Sequence, residues 1–133
     1  MKVNFQDQPA TEQGRDRAML GSYRVLDLTD EQGFYCSQLL GYLGADVIKV
    51  ESPGGDKSRW IPPFLNGVPG VENSLYWQAF NTNKRGITLN LDTDEGRDIF
   101  RELVRKADVV VESFPPGHMA QLGLDYNALN EVN

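Results

Sequence analysis

The stretch Leu43-Gly44-Ala45-Asp46-Val47-Ile48-Lys49-Val50-Glu51-Ser52-Pro53-Gly54-Gly55-Asp56 decides the fold. It reads as a helix end, a turn, a strand and a glycine-rich exit. Gly44 suits the left-handed residue that closes a helix. Val47, Ile48 and Val50 are β-branched and favour a pleated strand from Asp46 to Glu51. Pro53 ends the ladder because it has no N–H, and Gly54-Gly55 then free the backbone. Upstream, Arg24 to Thr29 is a second strand, with Val25, Leu26 and Leu28 apolar and Asp27 interrupting. Between them, Cys36, Leu39, Leu40 and Leu43 fall at i, i+3, i+4 and i+7, the stripe of a buried helix face. Strand, helix and strand within about thirty residues make a right-handed βαβ unit.

The pattern repeats downstream. Ile87 to Leu91 alternates apolar and polar residues, as a half-exposed edge strand does. A helix over about Thr93 to Ala107 presents Ile99, Phe100, Leu103, Val104 and Ala107 on one face. Arg97, Arg101 and Arg105 lie on another face beside acidic residues, as a solvated surface. Asp108 to Glu112 is a continuous valine strand suited to a parallel sheet. The expected fold is α/β: a Rossmann-like, doubly wound parallel sheet of about four strands in the order 3-2-1-4. Its fourth strand is left with an open edge.

Composition bounds the function. The chain has 133 residues, 40% apolar and 24% charged, within the ordinary globular range. Thirteen basic residues against nineteen acidic give a net charge of −6. No basic stripe forms, so nucleic acid is not an expected partner. The single Cys36 permits no internal disulfide and fits a reducing, cytoplasmic setting. It is expected as a packed thiol in the helix stripe. No apolar run approaches the roughly 20 residues that span a bilayer, and no apolar signal core is present. Residues 1–21 are polar and aperiodic and read as an N-terminal arm; 22–133 form the domain.

Several polar residues remain to be placed. The loop Thr29-Asp30-Glu31-Gln32-Gly33 offers a helix cap in Thr29 or Asp30. It lacks the G-x-G-x-x-G turn of a dinucleotide site, and Asp30 and Glu31 would repel a phosphate there. Lys49, mid-strand, is expected near a sheet margin, paired with Glu51 or reaching solvent. Residues 53–73 form a long loop with Arg59, Trp60 and Phe64 as anchors; loops of that length are often functional. Ser74 to Phe80 reads as a short helix, and Asn81 to Gly86 as a polar turn in which Lys84 and Arg85 meet an anion or solvent. His118, the only histidine, follows the last strand, at the sheet end where such folds bind ligands.

Three ordered blocks carry a family resemblance. Val25 to Thr29, Leu39 to Glu51 and Pro53 to Asp56 resemble the N-terminal region of family III CoA-transferases, the group of formyl-CoA transferase, carnitine CoA-transferase and acyl-CoA racemases. Asn81 to Leu91 resembles the next block. Ala107 to Phe114 with Pro116-Gly117 and Leu122-Gly123-Leu124 resembles the third. The match spans residues 22–133.

The resemblance implies CoA transfer between an acyl-CoA and a free carboxylic acid. It also implies an interlocked homodimer for the full-length protein. CoA thioesters enter as substrates, with no covalently bound cofactor and no metal. In the family a catalytic aspartate attacks the thioester. That residue lies downstream of the blocks matched here, so no catalytic residue is assigned and this chain alone is expected to be inactive. Transferase and racemase branches are not separated by this segment, and a non-catalytic doubly wound binding module is the alternative from another class. The CoA-binding positions implied are Asp30, Glu31, Gln32, Ser52, Leu89, Asp92, Ser113, Phe114, His118 and Gln121. Ser52, Asp92 and Gln121 stand where relatives carry basic residues against the CoA phosphates.

Overall fold

A computed structural model describes residues 18–133. Most of the expected N-terminal arm, residues 1–17, lies outside the described residues. In chain order the strands are β1 (Arg24–Leu28), β2 (Asp46–Glu51), β3 (Lys84–Thr88) and β4 (Val109–Glu112). The helices are α1 (Phe34–Tyr42), α2 (Leu75–Phe80), α3 (Asp94–Val104), α4 (His118–Gln121) and α5 (Tyr126–Asn130). The sheet runs β3-β2-β1-β4, with every pairing parallel. The expected order is therefore observed, and among the described residues β4 pairs only with β1.

Strand alternation sorts the core onto two faces. Leu26, Leu28, Ile48 and Val50 meet Phe100 and Val104 of α3, together with Leu124. On the opposite face Val25, Ala45 and Val47 pack with Leu20 and Leu40. Asp27, Lys49 and Glu51 share that second face with α1. The sheet thus carries a helix on each side.

Gly44 closes α1 with φ of 103°, and a Cβ there would lie 2.2 Å from the Ala18 methyl carbon. Only glycine satisfies both constraints. Asp94 and Glu95 occupy the first turn of α3, where the helix dipole favours them, and Thr93 caps it by accepting from the Gly96 amide at 3.1 Å. The arginine row on α3 behaves as a solvated face. Arg97, Arg101 and Arg105 each pair with the acidic residue three positions earlier.

Four expectations about strand bounds and buried faces fail, three of them for one reason. The buried face of α1 is Phe34, Ser37 and Gln38, whereas Cys36, Leu39 and Leu43 are exposed. β3 starts at Lys84, not Ile87, and ends before Leu89. Lys49 lies on an interior strand and is 3% exposed, away from any sheet margin. The common cause is the buried carboxylate of Asp27. It needs partners more than the stripe needs burial, because an uncompensated charge in the core costs several kcal/mol. Ser37 and Lys84 turn inward to meet it, and they carry α1 and the start of β3 with them. The fourth miss is Ile99, which is exposed beside the buried Phe100. Leu103, also expected on that face, is half-buried and joins the core cluster.

The segment after β2 is not structureless. Two short 3₁₀ turns, Lys57–Trp60 and Leu65–Gly67, and a bridge between Phe64 and Ser74 order it. Arg59 is its main anchor. It holds both Glu51 oxygens, at 2.7 and 2.8 Å, and stacks 4.1 Å over the Trp77 ring. Trp60, expected as an anchor, is exposed.

Candidate functional site

The carboxyl ends of β1, β2 and β4 open into a cleft of about 280 Å³. Leu28, Val50, Leu89, Leu91, Phe114 and Leu122 give it apolar walls. Thr29, Asp30, Lys49, Glu51, Ser52, Asp56, Asn90, Asp92, Ser113 and His118 supply its polar groups. In an open parallel sheet this is where ligands bind, because strand ends splay their loops apart there.

Seven of the ten residues expected at a CoA site line this cleft: Asp30, Ser52, Leu89, Asp92, Ser113, Phe114 and His118. Glu31, Gln32 and Gln121 do not. Gln32 takes part only through its backbone, its amide donating to Asp30 Oδ1 at 3.0 Å. Thr29 and Asp30 do not cap α1, which begins at Phe34 behind an uncapped Gly33. The Thr29 amide and hydroxyl instead donate to Asp27 Oδ1 at 2.9 and 2.6 Å. Asp30 and Ser113 bond reciprocally. The Asp30 amide donates to Ser113 Oγ at 2.9 Å, and that hydroxyl donates to Asp30 Oδ1 at 2.7 Å. The loops after β1 and β4 are joined by this pair. The Phe114 and His118 rings pack with centroids 4.7 Å apart and planes tilted by 48°, an aromatic pair on one wall.

Behind the cleft sits a charge cluster that sequence reasoning did not assemble. Asp27 is fully buried. Its Oδ2 accepts from Lys84 Nζ at 2.9 Å and from Ser37 Oγ at 2.6 Å, and Lys49 Nζ lies 3.9 Å from its Oδ1. Both ammonium groups also lie 5.2 Å from the centroid of the Phe34 ring, within cation–π range. Burial pushes the Asp27 carboxyl up, but Lys49, Lys84 and the Ser37 and Thr29 hydroxyls outweigh it and hold the group below the ordinary carboxylate range. Burial lowers both lysines, against the pull of Asp27. The available signal was a lysine inside an apolar strand, facing an aspartate inside another. Register makes Asp27 and Lys49 direct cross-strand partners, and only the parallel pairing reveals it.

Glu51 has a similar history. Burial raises its carboxyl, yet the Arg59 guanidinium and the Asp56 amide bring it below its ordinary value. Asp46 is lowered by Arg24 and Arg85, which together outweigh its desolvation. Of Lys84 and Arg85, expected to meet an external anion or solvent, Lys84 is committed to the buried Asp27, whereas Arg85 pairs with Asp46 and stays half-exposed to solvent.

A four-stranded parallel sheet with helices on both faces and a mixed apolar and polar cleft at its strand ends places the chain in the doubly wound α/β class. The sequence profile of CoA-transferase family III matches residues 20–133, and the chain belongs to that family. It is 48% identical over 115 residues to a succinyl-CoA:mesaconate CoA-transferase of Haloarcula marismortui, a match covering 86% of this chain and 29% of that one. It is 44% identical over 111 residues to a subunit of a succinyl-CoA:(R)-benzylsuccinate CoA-transferase of Thauera aromatica, covering 84% and 27%. A crystal structure of a CAIB/BAIF family protein from Brucella suis superposes with a TM-score of 0.77 at 43% identity, covering 87% of this chain and 31% of that one. The chain therefore spans less than a third of the length of these relatives.

Proposed function

We propose that this chain is the N-terminal, CoA-facing part of an enzyme that moves CoA between an acyl-CoA and a free carboxylic acid. One observation carries the reading: residues that follow all four strands, each within the family match, meet in one cleft at the strand ends. Asp30, Ser52, Leu89, Asp92, Ser113, Phe114 and His118 form the CoA wall, with the Phe114 ring packing an apolar face of the ligand. Ser52 and Asp92 bring no cation to a phosphate, so affinity rests on apolar and ring contacts and is weak. The protein works in the cytoplasm as an interlocked homodimer that completes the cleft.

This segment by itself transfers no CoA. A nucleophilic carboxylate must be free and basic enough to attack a thioester. Asp27 is buried between two lysines, Glu51 is held by Arg59, and Asp30 is bonded to Ser113 and the Gln32 amide. Each of the three is held below its ordinary pKa, which lowers its nucleophilicity. The test is an NMR titration with CoA alongside an exchange assay with labelled CoA. Shifts at Leu89, Ser113, Phe114 and His118, with no exchange, are expected. Shifts confined to the arginine face of α3 would remove the site, and steady exchange would place a nucleophile within these residues.

A further inference from the structure

The peptide joining Thr29 to Asp30 is gripped at both ends. Its carbonyl oxygen accepts from Lys49 Nζ, on β2. Its N–H donates to Ser113 Oγ at 2.9 Å, just past β4. The two strands flanking β1 therefore fix the orientation of a single peptide plane at the mouth of the cleft. Lys49 reaches further. Its ammonium lies 3.9 Å from Asp56 Oδ2. Asp56 in turn accepts from the Ser58 amide at 2.8 Å and so sets the turn that follows β2. Thr29, Lys49 and Asp56 all line the cleft.

We propose that Lys49 is a positioning residue: its buried ammonium locks the loop after β1 to the loop after β2, so that two walls of the cleft hold one geometry for a CoA-class ligand. The choice of that ligand rests on the function proposed above. The lock itself does not.

Lys84 provides an internal control. It pairs with the same Asp27 and lies at the same distance from the Phe34 ring. Its remaining bonds go to the Phe34 carbonyl, Ser37 Oγ and Asn81 Oδ1, none of which lines the cleft. Lys49→Met and Lys84→Met each remove one buried cation from Asp27, and only the first releases the Thr29–Asp30 peptide. A purely structural role would make the two variants alike.

The experiment compares amide hydrogen exchange and CoA affinity in both variants, with global stability measured in parallel. In Lys49→Met, exchange at Asp30 and across residues 56–58 should rise at least tenfold above that in Lys84→Met, after correction for global unfolding. CoA should bind at least fivefold more weakly, while Lys84→Met keeps the wild-type affinity within about twofold. Rescue tests the amine itself. Lys49→Cys in a Cys36→Ser background, aminoethylated while unfolded and then refolded, should recover the protection. If Lys49→Met does not fold, the wild-type chain still decides: a slowly exchanging Lys49 ammonium signal with proximity to Thr29 is expected, and its absence overturns the lock. Equal loosening by both variants, or an unchanged Asp30 amide in Lys49→Met, also overturns it. A wild-type chain that binds no CoA, with Asp30 released only by Lys49→Met, refutes the ligand and upholds the lock.

Discussion

Replacing Asp27 by Asn tests the energetics of the buried cluster most directly. Asparagine keeps the shape, and its one carbonyl oxygen can still accept from the Thr29 amide and hydroxyl, while its NH2 stands where Oδ2 accepted from Ser37 and Lys84. What disappears is the single negative charge facing Lys49 and Lys84, both of which are almost fully buried. Removing one partner of a buried pair typically costs about 3–5 kcal/mol. A second route gives a ceiling. One lysine can escape by losing its proton, and moving it from its ordinary 10.5 to pH 7 costs about 5 kcal/mol at 1.36 kcal/mol per unit.

The two figures agree, so the loss should be about 3–5 kcal/mol, a large part of the roughly 5–15 kcal/mol that holds a domain together. Urea unfolding followed by far-ultraviolet circular dichroism is the assay. With a slope of about 2 kcal/mol per molar, the midpoint should fall by about 2 M. The pH dependence adds a sharper check. A lysine neutral in the folded variant and charged when unfolded makes the unfolded state bind the extra proton. Stability of the variant then rises with pH, and the deficit should shrink between pH 7 and pH 9.5. A loss below about 1 kcal/mol that does not change with pH would show that water already reaches these lysines, and the argument would fail.

Other outcomes follow from the same geometry. Replacing Asp27, Lys49 and Lys84 together by Leu, Met and Met should recover most of the stability lost in Asp27→Asn, because an apolar trio of similar volume needs no counter-charge; urea midpoints measure it. Gly96→Ala should destabilise by more than the usual 1–3 kcal/mol of overpacking, since a Cβ there would sit 1.7 Å from the Asn90 carbonyl oxygen; thermal unfolding reads it. In acid, Asp27, Glu51 and Asp46 all have folded pKa values below their unfolded ones, so their stabilisation is complete above about pH 5 and is lost as pH falls through the folded values. Urea midpoints from pH 6 to pH 2.5 should show that decline, and it should be shallower in Asp27→Asn. Phe100→Ala, at a fully buried site in the main core, should cost about 3–5 kcal/mol by the same measurement.

The sequence by itself determined the architecture. β-branched runs at Val47–Val50 and Val109–Val111, the closure at Gly44 and the stop at Pro53 are local signals, and they fixed four parallel strands and their order. The location of the cleft was legible for the same reason, since strand ends and the residues after them follow directly from strand positions. Glu31, Gln32 and Gln121 lie outside the cleft lining, because family position alone does not tell which way a side chain turns.

Only the tertiary structure decided which polar residues are inside. Hydrophobic periodicity ranks a helix face by its apolar content, and it put Cys36, Leu39 and Leu43 in the core. The chain instead buries Ser37 and Phe34, and brings Lys84 in across 57 residues of sequence, to neutralise Asp27. No local window contains that pairing. Opposite charges that meet through strand register and chain crossover lower the free energy only once the sheet has formed, and the helix and strand boundaries then shift to accommodate them.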